Sequence, residues 1–286
     1  MSIVLAIFPM LLLVIFPFVP ESHVYFLKIG QTKEAEESLV RLRGNEADYD
    51  IRGEMKTIQE EIDQNRDRGG SFIDSLSSVA NRRALVAVLG TMGFHQLCGV
   101  NAVVFYVEQI FTAAETSIAP SVGAIIVVCF QCIGGFLSLK IIDRAGRKYF
   151  LILSAVGMLM GHCGLGMFFH LRKYNMGSSL GFLPIGCVIM FIVAFTLGYG
   201  NIPFMLSHEL LPPELRGVGS GMAIVVAWTI SFLVTYVFPI AVVHLGDYIT
   251  FYILGAANAI AILFTLQFVP ETRGKTLIDI QEILSR

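Results

Sequence analysis

Charge is the first thing this sequence has little of. Only 15% of its 286 residues are Asp, Glu, Lys or Arg, against 55% hydrophobic, and the mean hydropathy is +0.71. Soluble domains carry about 25% charged residues, so the polar surface that a water-exposed fold needs is missing. The 20 basic and 22 acidic residues nearly cancel, to a net charge of −2. That gives no reason to expect nucleic-acid binding, which relies on a basic field. Cysteine is sparse as well: the five, at 98, 129, 132, 163 and 187, are scattered through apolar stretches and make no disulfide framework. Cys129 and Cys132 form a C-x-x-C, but with no second ligand pair no metal site is expected. Neither a nucleophile–base pair nor a metal spacing occurs in the apolar stretches, so neither an enzyme nor a cofactor is expected.

Long apolar runs are what the sequence has in plenty. Crossing a bilayer takes about 20 apolar residues in a helix. Seven stretches qualify or nearly do: 2–19, 83–111, 120–142, 149–170, 180–207, 217–243 and 248–269. The first holds Pro9 and Pro17, but it lacks the basic n-region and small-residue cleavage site of a leader, and it reads as a span. The segments 20–83, 140–148, 208–216 and the tail after 270 hold 18 of the 20 basic residues. The intervening loops hold only Arg172 and Lys173. Lys and Arg stay in the cytoplasm, which places the long loop and the C-terminus there. No N-x-[ST] signal falls in a loop on the opposite side.

The expected fold is an all-α polytopic membrane protein. It comprises a transmembrane helix over 1–19, a cytoplasmic amphipathic helical segment over 20–82, a six-helix bundle over 83–270 and a cytoplasmic tail over 271–286. Within the second part, "TKEAEESLVRLRG" sets Ala35, Leu39 and Leu42 on one helical face with Gly44 to close it. "EMKTIQEEID" does the same with Met55, Ile58 and Ile62. On the spans, G-x-x-x-G pairs at Gly157/Gly161 and Gly217/Gly221 predict close helix packing. His162 and His170 read as packing or interfacial residues.

Three short motifs lie at the cytoplasmic edge. "VPES" (19–22) and "VPET" (269–272) each follow directly on a span, and that repetition hints at an internal repeat of the kind transporters show. "DRAGRK" (143–148) joins two spans through a glycine turn. In order along the chain, "VPESHVYFLKIGQTKEAEESLVRLRG", "QLCGVNAVVFY", "DRAGRK", "GYGNIPFMLSHELLPPELRG" and "VPETRGKTL" resemble the successive signatures of the sugar porter family of the major facilitator superfamily. The likeness extends to its trehalose- and glucose-transporter branches and covers nearly the whole chain.

The resemblance implies a twelve-helix fold with a sugar site between two six-helix halves. This chain then supplies the sixth helix, the intracellular segment and helices seven to twelve. A missing N-terminal half, or a full-length partner, would complete it. The implied work is facilitated diffusion of a hexose or trehalose across the plasma membrane by alternating access. The competing reading is a sugar sensor or regulatory membrane fragment that does not transport. The implied partners are the sugar and the lipid bilayer.

The residues implied for the sugar are Gln96 and Asn101, with His95 where the family has a second Gln, Gln131 on the next span, Thr196 and Phe204 on the tenth helix and Trp228 on the eleventh. An amide offers both a donor and an acceptor, which suits a hydroxyl that is both. Gln96 and Asn101 are five residues apart, about 140° around a straight helix, so a single small ligand could not be met by both unless the helix loosens at Gly99. Gly198, Gly200 and Pro203 similarly predict a bend in the tenth helix, with Phe195 and Phe204 as apolar faces. The resemblance also makes Asp143, Arg144, Arg147, Glu209, Arg216, Glu21 and Glu271 a cytoplasmic charge network that gates the inner side.

Overall fold

A computed structural model describes residues 2–43, 50–67, 75–116, 118–174 and 181–285, with backbone alone at 2–6, 61, 64–67, 139, 141 and 143–145. The chain divides into two units, Met1–Gly69 and Gly70–Arg286.

In the first unit, α1 (Ser2–Ile15) runs into a 3₁₀ turn at Phe16–Phe18. Pro9 is accommodated inside α1, whereas Pro17 sits at the start of the tighter turn. With the 3₁₀ turn the helical run is continuous from Ser2 to Phe18, and its apolar part with described side chains is Ile7–Phe18. Then come α2 (His23–Lys28), α3 (Thr32–Arg43) and α4 (Ile51–Asp67). The buried face of α3 is Ala35, Ser38 and Leu39, while Leu42, expected on that face, is exposed. Ser38 takes the place inside because its hydroxyl donates to the Glu21 carbonyl, which satisfies the polar group on burial. Arg43 on α3 pairs with Glu54 on α4 at 3.0 Å, and Met55, Ile58 and Ile62 are half-buried. Gly44 lies outside the described residues.

In the second unit, the described helices are α5 (Val79–Leu97), α6 (Val100–Phe105), α7 (Val107–Ala114), α8 (Pro120–Ala145), α9 (Arg147–Lys173), α10 (Leu183–Leu197), α11 (Ile202–Glu209), α12 (Pro213–Leu245), α13 (Asp247–Phe268) and α14 (Leu277–Ser285). Among the described residues, six helical stretches are long and apolar enough to cross a membrane: Val79–Phe105, Pro120–Ser138, Arg147–Lys173, Leu183–Glu209, Pro213–Leu245 and Asp247–Phe268. Two of these six are built from pieces, α5 with α6 and α10 with α11. Helix α9 packs on α10 and on α13, and α5 packs on α12 and α13. Gly157 and Gly161 make the α9–α10 contact close: a Cβ at Gly157 would lie 2.6 Å from the Ala194 Cβ. Gly217 and Gly221, expected to do the same, meet no atom within 4 Å. His162 is fully buried between Phe191 and Phe251, with Asn258 as its hydrogen-bond partner, as a packing residue.

Candidate functional site

The apolar run from α5 into α6 is interrupted at Gly99, whose φ of +81° is left-handed. An L side chain is strained there, and a Cβ would also stand 3.0 Å from the Leu254 side chain. The break rotates α6 relative to α5, and it removes the 140° problem that a straight helix poses. Asn101 Nδ2 donates to Gln96 Oε1 at 2.9 Å and to Ser231 Oγ at 2.6 Å. Both protons of one amide are thereby used, and α5, α6 and α12 are joined at one point. Among the described residues, Gln96 Nε2 and Asn101 Oδ1 take no partner, so the pair presents a donor group beside an acceptor. Ser231 carries no signal in the sequence analysis, although it stands one turn beyond Trp228 on α12.

His95, just before Gln96, turns to the broken tenth helix. Its Nδ1 lies 2.6 Å from the Tyr199 carbonyl, and its ring packs against Phe195 (centroids 5.2 Å apart) and edge-on to Phe204 (5.4 Å). The break covers Gly198 to Asn201, between α10 and α11. Its polar groups are bound by neighbours: Asn201 Nδ2 donates to Ser138 Oγ and to the Thr196 carbonyl, and Ser154 Oγ accepts from the Tyr199 N–H. Tyr199 is fully buried, with its hydroxyl 2.8 Å from Thr265 Oγ1 on α13. Tyr199, Asn201, Ser138 and Ser154 carry no sequence signal as contacts of the break, although "GYGNIP" contains two of them.

The other residues expected at the site are placed less centrally. Thr196 is buried, but its hydroxyl donates to the Val193 carbonyl of its own helix and abuts Gly134. The hydroxyl keeps its acceptor lone pairs, and its contact with Gly134 places Thr196 where α8 and α10 pack. Gln131 is half-buried on α8 and has no hydrogen bond to Gln96, Asn101 or His95. Trp228 and Phe204 are 65% and 46% exposed, so their aromatic faces are open.

A second cluster forms at the end of the bundle where α8, α9, α11 and the tail meet. Gly146 ends α8 with φ +98°, and α9 starts at the next residue. Glu271 reaches the N-terminus of α9: Oε1 accepts from Arg147 N–H (2.9 Å) and Oε2 from Lys148 N–H (3.2 Å). Oε1 also accepts from the N–H groups of Thr272 and Arg273, both at 3.0 Å. A carboxylate thus satisfies orphan donors at a helix N-terminus, where the dipole favours negative charge. Partial burial works against the charged form of Glu271, but the N–H donors of Arg273, Arg147, Lys148 and Thr272 outweigh it and hold the carboxyl below the ordinary glutamate range. Arg147 pairs with Glu209 at 3.1 Å, and the other Glu209 oxygen accepts from the Thr272 hydroxyl.

Three of the expected network members, Arg147, Glu209 and Glu271, are therefore together. Among the described residues Arg216 has no carboxylate partner; its guanidinium donates to the Leu211 carbonyl at 3.4 Å, because it emerges one turn into α12 and folds back on the preceding loop. Glu21 belongs to the first unit, where its carboxylate accepts from the Ser22 N–H. The side chains of Asp143 and Arg144 lie outside the described residues. Gly146 is required twice over, since a Cβ there would fall 2.6 Å from Glu271 Oε2 on a left-handed backbone. Gly146→Ala is expected to destabilise the folded bundle by about 1–3 kcal/mol, read as a lower Tm in detergent. An unchanged Tm would show that the cap is dispensable.

Comparison with known proteins adds the following. The profile of the sugar (and other) transporter family matches residues 1–284. Trehalose transporter 1 of Drosophila melanogaster is 35% identical over 279 residues, covering 96% of this chain and 32% of the relative. The facilitated trehalose transporter Tret1 of Apis mellifera ligustica is 33% identical over 277 residues, covering 96% of this chain and 55% of the relative. The chain thus spans between about a third and about half of the length of these curated relatives. Among solved structures, the proton:xylose symporter XylE with bound 6-bromo-6-deoxy-D-glucose superposes with a TM-score of 0.72 at 25% identity, over 96% of this chain and 56% of that one. The inward open form of the xylose transporter XylE from E. coli gives 0.70, also at 25%.

Proposed function

This chain belongs to the sugar (and other) transporter family, as a multi-pass membrane protein with the major facilitator fold, and on that premise we propose that it forms the C-terminal half of a sugar facilitator. The cargo is a hexose or trehalose, moved across the plasma membrane by alternating access between two six-helix halves. One observation carries the reading: the Gln96–Asn101 amide pair, braced by Ser231 at a helix break, with an open donor and an open acceptor. Discontinuous helices at a mid-membrane site are a recurring device of secondary transporters, because irregular backbone is tolerated where it lines a cavity. Gln96 and Asn101 hold sugar hydroxyls, while Phe204 and Trp228 offer aromatic faces to the ring. Gln131 widens the polar wall from α8.

The Arg147–Glu209–Thr272 and Glu271 contacts act as the inner gate. They hold the cytoplasmic ends of α8, α9, α11 and the tail together in one state and part in the other. With the C-terminus in the cytoplasm, single cysteines placed at Arg273 or Lys275 stay shielded from an impermeant reagent in intact cells, and cysteines at Glu115 or Tyr174 are labelled. The reverse pattern would sink the orientation and the gate assignment with it. For the transport itself, the test is saturable sugar uptake by the complete transporter, in which this chain is joined to an N-terminal half.

A further inference from the structure

The Tyr199 carbonyl lies within the apolar stretch Leu183–Glu209, which is long enough to cross a membrane, at a point where its ladder partner cannot exist. In an α-helix it would accept from the N–H four residues on, and that residue is Pro203, which has none. The neighbouring N–H groups are committed elsewhere: Gly200 donates to the Phe195 carbonyl (2.7 Å), and Asn201 and Ile202 both donate to the Gly198 carbonyl (3.2 and 3.0 Å). The donor that reaches Tyr199 O is His95 Nδ1, at 2.6 Å, from a different helix. A carbonyl only accepts, so Nδ1 carries the proton. The same ring touches Phe195 before the break and Phe204 after it, so one side chain grips both pieces of the split helix as well as the break between them.

We propose that His95 is a positioning residue: its Nδ1–H replaces the hydrogen bond that Pro203 withholds from Tyr199, and so fixes the angle between α10 and α11. The proposal rests on reading the chain as half of an alternating-access transporter only for its consequence, that this angle biases which side of the bundle is open. A Gln at position 95, the residue that the family resemblance expects there, cannot do the same. The side-chain nitrogen of Asn falls near the Nδ1 position of a histidine, whereas that of Gln falls near Nε2. A strut through Nδ1 is therefore kept by Asn and lost with Gln, and a ligand contact through Nε2 gives the opposite order.

The experiment uses the complete transporter in lipid vesicles with ¹⁵N-labelled histidine, the His95 signal being assigned by its loss in His95→Asn. The expected spectrum has Nδ1 protonated and Nε2 bare. Amide exchange over 200–206 is then measured for His95→Asn, His95→Gln, His95→Leu and the pair His95→Leu with Pro203→Ala. His95→Asn should exchange at close to the parent rate, and Gln and Leu about tenfold faster or more. Pro203→Ala restores an N–H four residues after Tyr199 and should pull the Leu variant back toward the parent. The proposal is overturned by a bare Nδ1, by Gln matching the parent while Asn does not, or by no suppression from Pro203→Ala in a folded double variant. If all of these results are as expected and the vesicles move no sugar, the strut stands and the transport reading alone falls.

Discussion

Asn101→Ala is expected to weaken sugar binding by about tenfold to a hundredfold, because losing a buried hydrogen-bonding group costs about 1–3 kcal/mol. Asn101 is the joint of the site: its Nδ2 serves both Gln96 Oε1 and Ser231 Oγ, and its Oδ1 remains open. Removing it deprives the sugar of an acceptor and also frees the Gln96 amide from its orientation. Gln96→Ala should lose a comparable amount, since the open donor belongs to that side chain. Ser231→Ala should lose less, because it braces Asn101 without offering a group of its own to the ligand. Cys132 on α8 is exposed and free, and Cys132→Ala should bind as the parent does. The measurement is equilibrium binding of labelled sugar to the complete transporter at matched abundance. Parent-like affinity in both Gln96→Ala and Asn101→Ala would move the site elsewhere.

Glu271→Gln is expected to shift the complete transporter toward its inward-open state by about 1–3 kcal/mol, the range typical of a coupling free energy between two states. The carboxylate receives backbone N–H groups on both oxygens; an amide would turn one of those oxygens into an NH₂ facing Lys148 N–H or the Arg147 side. Arg147→Ala acts on the same contact from the other direction, leaving the Glu209 carboxylate with the Thr272 hydroxyl but without its guanidinium. If these residues only anchored helix ends, abundance would fall and the conformational balance would stay. A gate gives the contrary: equal abundance, faster labelling of a cytoplasmic-side cysteine, weaker binding of an outward-side inhibitor. Unchanged labelling at equal surface expression would reduce the cluster to an anchor.

The Glu271 carboxyl adds a pH dependence whose sign is fixed. Its folded pKa lies below the ordinary glutamate value, so the stabilisation is present above that value, about 4.3, and is lost as pH falls through the lower folded one. Gate labelling should therefore be flat between about pH 6 and 8 and rise only in strong acid. A transition near neutrality would assign the titration to another group.

Much of this was legible in the sequence because membranes impose simple rules. Span lengths followed from apolar runs, and Gly99 was readable as a hinge because two amides five apart make sense together only if the helix breaks between them. Arg147, Glu209 and Glu271 were readable from short motifs at span ends. Contacts that depend on tertiary register were not readable. Ser231 is one serine among many until α12 is laid against α5, and nothing in the sequence shows that the Thr196 hydroxyl donates within its own helix turn. Leu42 lost its place on the buried face of α3 to Ser38, whose burial depends on a carbonyl 17 residues away. The partner of the Tyr199 carbonyl follows from Pro203 only once the break has been seen, although the proline itself was in plain view.

Sugar movement through a site that includes the Gln96–Asn101 pair is the central claim. The direct measurement is uptake of radiolabelled glucose and of trehalose by cells without endogenous sugar transport, expressing the complete transporter as parent or as Asn101→Ala at equal surface abundance. The expected result is saturable uptake of at least one sugar, competed by the unlabelled form, with the variant saturating only at much higher concentration. Uptake that is absent or unsaturable in the parent, or saturation unchanged in the variant, would contradict the account.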